Sequence, residues 1–191
     1  MIRQGEELKH TLVLLTGHVK IVIHSEFGRD LLMAVRGPGD LLGEMAVLED
    51  EPRTTNVIAC GPTTVRSVKG NDFVDFVHRH PHACLTLARM LSERLRRADL
   101  RCADMITCPA PLRVARVLDE VVRHFGKKTA AGWDLGIPLN QPEIASLAGV
   151  GLSTVEKALH EWQDRQVLRK NGRRIVIADR SGLRRIGELP A

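Results

Sequence analysis

Leu42-Gly43-Glu44-Met45-Ala46-Val47-Leu48-Glu49-Asp50-Glu51-Pro52-Arg53-Thr54-Thr55-Asn56-Val57 decides how the chain is read. A glycine stands where backbone can approach a ligand closely, and successive backbone N–H groups after it can form an anion nest. Glu44 can accept a hydrogen bond from a ribose hydroxyl. Arg53, ten residues after Gly43, offers a fixed-charge fork suited to phosphate. Thr54 adds a hydroxyl donor. A polar Glu-Asp-Glu-Pro turn separates the two ends. Taken alone, the pattern reads equally well as an ordinary surface turn.

The flanks of this stretch read as strands. Thr11–Leu15, Val19–Ile23, Asp30–Val35 and Thr63–Val68 are short apolar or β-branched runs, punctuated by Thr16-Gly17-His18, Phe27-Gly28-Arg29, Gly37-Pro38-Gly39-Asp40 and Gly61-Pro62. Such spacing predicts an antiparallel sandwich or barrel. The period then changes. Asn71-Asp72 is expected to cap a short helix from Phe73 to about His78. Pro81 opens an amphipathic helix to residue 107, with Leu87, Leu91, Leu95 and Ala98 at helical spacing and Cys102 and Met105 continuing the stripe. A helix this long with one apolar stripe suits a coiled-coil dimer seam. Packing on its own sheet is the competing reading.

Cys108-Pro109-Ala110-Pro111 breaks the helix. A second amphipathic helix is expected over Leu112–Phe125, a loop over Gly126–Gly132 and a short strand within Trp133–Leu139. Asn140-Gln141-Pro142-Glu143 has the form of a capping box. It opens a helix that ends at Gly149, followed by a second helix from about Leu152 to Arg165. Ala145, Gly149 and Val155 supply the small crossing residue, the turn and the anchor of a helix-turn-helix. Val167–Ile177 follows, with Asn171-Gly172 as a hairpin turn between cations. A basic hairpin there reads as a wing that straddles a phosphate backbone. Ser153, Glu156 and Lys157 are the outward residues able to reach base edges, and Thr154 can bond a phosphate.

Composition agrees. The chain has 191 residues, an apolar fraction of 43% and no Tyr. Residues 1–108 hold 14 Lys/Arg and 14 Asp/Glu, whereas residues 109–191 hold 14 and 9, so the whole formal charge of +5 lies in the second part. That bias points to a polyanionic partner. Four cysteines show no CxxC pair and are read as free thiols. His78, His80 and His82 alternate, but Pro81 breaks the strand geometry that would gather them on a metal, and no metal is expected. Nothing in the chain matches a Gly-rich phosphate loop before a helix or a nucleophile–base motif, so an enzyme is not expected. No segment is apolar enough to span a bilayer, and the N-terminus has no secretory pattern, so a cytoplasmic protein without a membrane partner is expected.

These motifs, in this order, resemble the cyclic AMP receptor protein/FNR (CRP/FNR) family of bacterial regulators over nearly the whole length. The resemblance implies an α+β chain: a cyclic-nucleotide-binding β-roll over residues 1–80, a dimerisation helix over 81–107 and a winged helix-turn-helix over 108–191. It implies a homodimeric transcription regulator controlled allosterically by a cyclic nucleotide, cyclic AMP first and cyclic GMP second. Double-stranded DNA is the implied partner, with RNA polymerase a further candidate. The implied effector site is Gly43, Glu44, Met45, Ala46, Arg53, Thr54 and Thr55, with Ala98 and Asp99 at the purine. The implied DNA-facing set is Gln141, Leu152, Ser153, Thr154, Glu156, Lys157, Lys170 and Arg173. Two alternatives stay open. One is a family member with another effector or none. The other is a nucleotide-binding module that acts through protein contacts, with a vestigial helix-turn-helix.

The sequence departs from the family pattern in four places. The helix and strand expected before Gln4-Gly5-Glu6 are missing. Ala98-Asp99 stands where a polar pair touches the purine. Thr54 follows the cassette arginine, where its hydroxyl suits either guanine or phosphate. Gly151-Leu152-Ser153 replaces the usual Ser-Arg-Glu of the recognition helix, removing its principal base-reading arginine.

Overall fold

A computed structural model describes residues 1–172 and 174–188, apart from the side chain of Asn171. The chain divides into two compact units, Met1–Asp99 and Leu100–Ala191.

In the first unit two three-stranded antiparallel sheets enclose an aliphatic core. One sheet has β1 (His10–Thr16) between β4 (Leu41–Leu42) and β6 (Thr64–Lys69). The other has β2 (Val19–His24) between β3 (Asp30–Arg36) and β5 (Asn56–Ala59). Alternation in β1 sends Leu12 and Leu14 inward, where they meet Ile2, Val19, Leu42 and Val57. With so few aromatics, branched aliphatics fill the space between the sheets. Ile2 is tied in by a bridge to Val57. All four strands expected from the sequence are present, each one or two residues longer at an end or shifted by one.

Within the cassette, α1 (Glu44–Glu49) runs into the Glu-Asp-Glu-Pro turn. Three expectations need correction. The helix after β6 is α2 (Gly70–Arg79), and its N-cap is Lys69 with no side-chain hydrogen bond, so Asn71-Asp72 does not cap it. Residues 126–139 hold a hairpin of β7 (Lys127–Thr129) and β8 (Gly132–Asp134). Beyond β8, Leu135, Ile137 and Leu139 are buried without being strand. Finally, the stripe on α3 (Pro81–Thr107) does not behave as one face. Leu87 is buried and Met90 and Leu91 are half-buried, whereas Leu95, Cys102 and Met105 are exposed in the single chain. A 3.6-residue helix drifts against a seven-residue repeat, so part of the stripe faces the roll and the rest does not.

The second unit packs α4 (Ala110–Phe125), α5 (Gln141–Ala148), α6 (Leu152–Asp164) and α7 (Arg180–Gly187) with a four-stranded antiparallel sheet, ordered β7-β8-β10-β9. Here β9 is Leu168–Asn171 and β10 is Arg174–Ile177. Helix α4 turns Val114, Val117, Leu118, Val121 and Val122 inward, and Leu159 and Trp162 of α6 join the same interior. The capping box is made in full. Asn140 Oδ1 accepts from Glu143 N at 2.8 Å, and Glu143 Oε2 accepts from Asn140 N at 2.8 Å. Helix α7 was not expected from the sequence, although Asp179 caps it by accepting from Gly182 N at 2.9 Å. Among the described residues no helix is long and apolar enough to cross a membrane.

Candidate effector site and nucleic-acid interface

The cassette is organised by Gly43. Its φ of 76° lies in the left-handed region, and it ends β4 and begins α1 in a single step. A Cβ there would run into the guanidinium of Arg53 and lie 3.0 Å from Ile2 Cδ1. Strain and overlap act together, so Gly43→Ala should cost about 2–3 kcal/mol of first-unit stability and shift Arg53. A thermal melt checks this; a midpoint within a degree of wild type would contradict it.

Arg53 is 3% exposed. Its Nη1 and Nη2 donate to the backbone carbonyls of Gly43 and His10. Its Nε is buried with no hydrogen-bond partner. Burial pushes the guanidinium pKa below its usual value, and Glu6 and Glu44 oppose that shift. It remains a cation at neutral pH.

Glu44 is equally buried, and its partner is a residue that motif reading missed. Arg94, on α3, donates from Nη1 to Glu44 Oε1 at 2.6 Å, and from Nη2 to Asp40 Oδ1 at 3.0 Å and to the Leu41 carbonyl at 2.8 Å. In the sequence Arg94 stands among the charged residues Glu93, Arg96 and Arg97, which suggest a solvated face. A signal was present: it follows Met90 and Leu91 at the i+3 and i+4 spacing that shares a face, so it interrupts a partly buried stripe. Near it, Arg36 ends β3 half-buried. Burial and the Arg94 charge push its pKa down to about 10, while Asp40 and Glu44 pull upward.

The structure therefore brings Gly43, Glu44 and Arg53 together, and adds Arg94. Ala46 is buried in α1, Thr55 is half-buried, and Met45 and Thr54 are exposed. Ala98 lies one helical turn beyond Arg94 and is half-buried; Asp99 is exposed.

In the second unit, Gly149 has a φ of 61° and closes the turn between α5 and α6. A Cβ on it would lie 2.7 Å from Met105 Cε. Arg113 secures the same turn, donating to the carbonyls of Ala148 and Gly149 at 3.0 Å each and of Cys108 at 2.8 Å. Ser153, Glu156 and Lys157 are exposed on α6, while Val155, Ala158, Leu159 and Trp162 are buried. Thr154 and Gln141 are half-buried, and Leu152 is 42% exposed at the start of the helix. Lys170 is half-buried on β9; Arg173 lies outside the described residues. Among the described residues no cluster of His, Cys, Asp and Glu could hold a metal ion.

A β-roll with a buried Gly–Glu…Arg cassette, followed by a helix-turn-helix and hairpin, defines a DNA-binding regulator class, and comparison with known proteins narrows it. Residues 1–80 match the family model of the cyclic nucleotide-binding domain, and residues 112–186 match that of the Crp-like helix-turn-helix domain. The CRP-like cAMP-activated global transcriptional regulator of Mycobacterium tuberculosis is 30% identical over 182 residues, 95% of this chain and 81% of the relative. The cyclic AMP receptor protein of Thermus thermophilus is 28% identical over 166 residues, 87% of this chain and 74% of the relative. Among solved structures, FixK2 from Bradyrhizobium japonicum superposes with a TM-score of 0.82 at 25% identity, covering 100% of this chain and 93% of that one. The chain belongs to the CRP/FNR family of transcription regulators, a family of regulators and not of enzymes.

Proposed function

We propose that this regulator acts in the cytoplasm as a homodimer whose DNA binding is switched by a cyclic nucleotide held in the cassette. The observation that carries the reading is that buried Arg53 bonds the carbonyl of Gly43 next to buried Glu44. Glu44 takes the ribose 2′-hydroxyl, and its second oxygen serves that purpose while Arg94 holds the first. Arg53 takes the phosphate through Nε, a buried donor with no present partner; an unmet buried donor costs about 1–3 kcal/mol, which a phosphate oxygen recovers. Gly43, Met45, Ala46, Thr54 and Thr55 supply backbone and hydroxyl donors around the anion, and Ala98 and Asp99 lie toward the purine. The relatives' effector makes cyclic AMP the first candidate and cyclic GMP the second. Ligand controls DNA binding only if it binds the DNA-competent state more tightly, commonly by about 1–3 kcal/mol. The exposed face of α3 around Leu95 supports pairing with a second copy.

On DNA, α6 enters the major groove N-terminus first, with Ser153, Glu156 and Lys157 at base edges, Thr154, Gln141 and Leu152 beside the backbone, and Lys170 and Arg173 on the flanking phosphates.

Calorimetric titration of the full chain with cyclic AMP and cyclic GMP tests the reading. One or both should bind, and Arg53→Lys, which keeps the charge but loses the fork, should weaken binding by about tenfold or more. No binding at millimolar nucleotide, or an unchanged affinity in the variant, would remove the cassette assignment. The two carbonyl bonds of Arg53 favour one second reading, in which that side chain is structural and the effector is different or absent; the same titration separates the two.

A further inference from the structure

The four-stranded sheet of the second unit ends unevenly, and a cavity opens where it does. Strand β8 pairs with β10 at Trp133↔Ile177 and Asp134↔Val176, and there the ladder stops. After Asp134 the chain turns away at Gly136, whose φ of 75° is left-handed and whose Cβ would run into the Phe125 carbonyl. Strand β10 extends past that point to Ile175 and Arg174, with no β8 residue beside them. That end of β10, the segment from Leu135 to Leu139 and the β7–β8 hairpin line a cavity of about 490 Å³, a volume in the range of sites for small molecules.

The lining is of two kinds. Leu135, Ile137, Leu139 and Ile175 are buried and make it apolar within. Lys127 and Arg174 are exposed, and neither has an ion pair among the described residues. Register explains why both reach one cavity. Lys127 pairs with Asp134, Asp134 pairs with Val176, and Arg174 follows on the same face two residues along β10. Two strand spacings of about 4.8 Å and two residues of about 3.4 Å put their backbones roughly 12 Å apart. Two long side chains can close on one anion across that gap. Asp134 also lines the cavity, but its Oδ1 accepts from Gly136 N at 2.7 Å. The two cations and this carboxylate leave one net positive charge, which matches a monoanion and repels a second negative charge.

We propose that this cavity is a ligand site of the second unit, distinct from the cassette, for a small monocarboxylate with an apolar body. Arg174 offers the carboxylate a planar fork and Lys127 adds a second charge. The apolar body covers the leucine and isoleucine side chains and removes them from water. A bare phosphate would leave that lining uncovered, and a neutral hydrocarbon would make no use of either cation. The position couples an occupant to the reading head: Leu139 directly precedes the Asn140 cap of α5, and Arg174 belongs to the hairpin that follows α6.

The test is an amide-resolved NMR titration of the full chain with octanoate, and with octylammonium as the same chain of opposite charge. Octanoate should shift the amides of Gly136, Ile137, Leu139 and Ile175 along one saturable curve. Its Kd should be about 5 mM or tighter, which a ligand of about ten non-hydrogen atoms reaches at ordinary efficiency. Octylammonium should leave those amides unmoved. Arg174→Met should weaken octanoate by about fivefold or more, and Lys127→Met should weaken it less, since it removes a charge but not the fork. Both side chains are exposed, so the variants should keep the wild-type amide spectrum away from the cavity. Absence of saturation by about 20 mM octanoate overturns the proposal. So does equal binding of octylammonium, an unchanged affinity in both variants, or displacement of octanoate by an equal concentration of inorganic phosphate, which would mark the cations as a plain phosphate contact. None of these results bears on the cassette, whose residues lie in the first unit.

Discussion

Replacing Arg94 with methionine should lower the stability of the nucleotide-free first unit by about 3 kcal/mol. The side chain of Glu44 is 4% exposed, and Arg94 is its recorded ion-pair partner. Removing one member of a buried pair leaves a charge that neither water nor protein stabilises, typically costing about 3–5 kcal/mol. The lower end applies because Arg94 itself keeps 19% of its side chain exposed. In a unit of this size the melting midpoint should drop by about 10–20 °C. The double variant Arg94→Met, Glu44→Leu should recover much of that loss, since an apolar pair of similar volume removes the stranded charge. A double-mutant cycle therefore isolates the coupling. A single-variant loss below about 1 kcal/mol would show that Glu44 is solvated and that the pair holds little.

Trp162→Ala should be as damaging, but in the other unit. Trp162 is 1% exposed and lies among the largest fully buried side chains. Truncating a buried tryptophan costs about 3–5 kcal/mol through lost burial and the cavity left behind, a large part of the total stability of an ordinary domain. The residue sits in α6, and its carbonyl accepts from Val167 N at 2.9 Å, where the chain leaves that helix for the hairpin. DNA affinity at 37 °C should fall below detection while nucleotide binding by the first unit persists. A gel-shift titration beside calorimetry reads both. Retained DNA binding with an unchanged melt would mean that the interior around α6 closes over the cavity.

Motif reading and structure agree best where one physical rule acts alone. The runs at Thr11, Val19, Asp30 and Thr63 are strands because branched residues alternate between glycine-bearing turns. The box at Asn140 and Glu143 is legible because both of its bonds are local. Reading fails where an element is short or its partner is distant. Strand β4 has two residues and α1 has six, too few for a period, and Gly43 starts α1 with no side-chain cap to announce it. Strand β5 begins only in the last two residues of the stretch read as a cassette, Asn56 and Val57. Arg94 meets Glu44 across 50 positions, and no spacing rule connects them. The stripe on α3 conceals two faces, because Leu87 and Leu95 share a period but not an environment.

The junction around Met105 bears on how such regulators can be recombined. Met105 seats against Gly149, Arg113 grips the carbonyls of Cys108, Ala148 and Gly149, and Arg116 binds Asp104 and the Gly187 carbonyl. A chimera spliced at Cys108 would transplant Arg116 without Asp104 and the glycine without its methionine cover. Splicing before Leu100, where the second compact unit begins, carries the whole joint with the reading head.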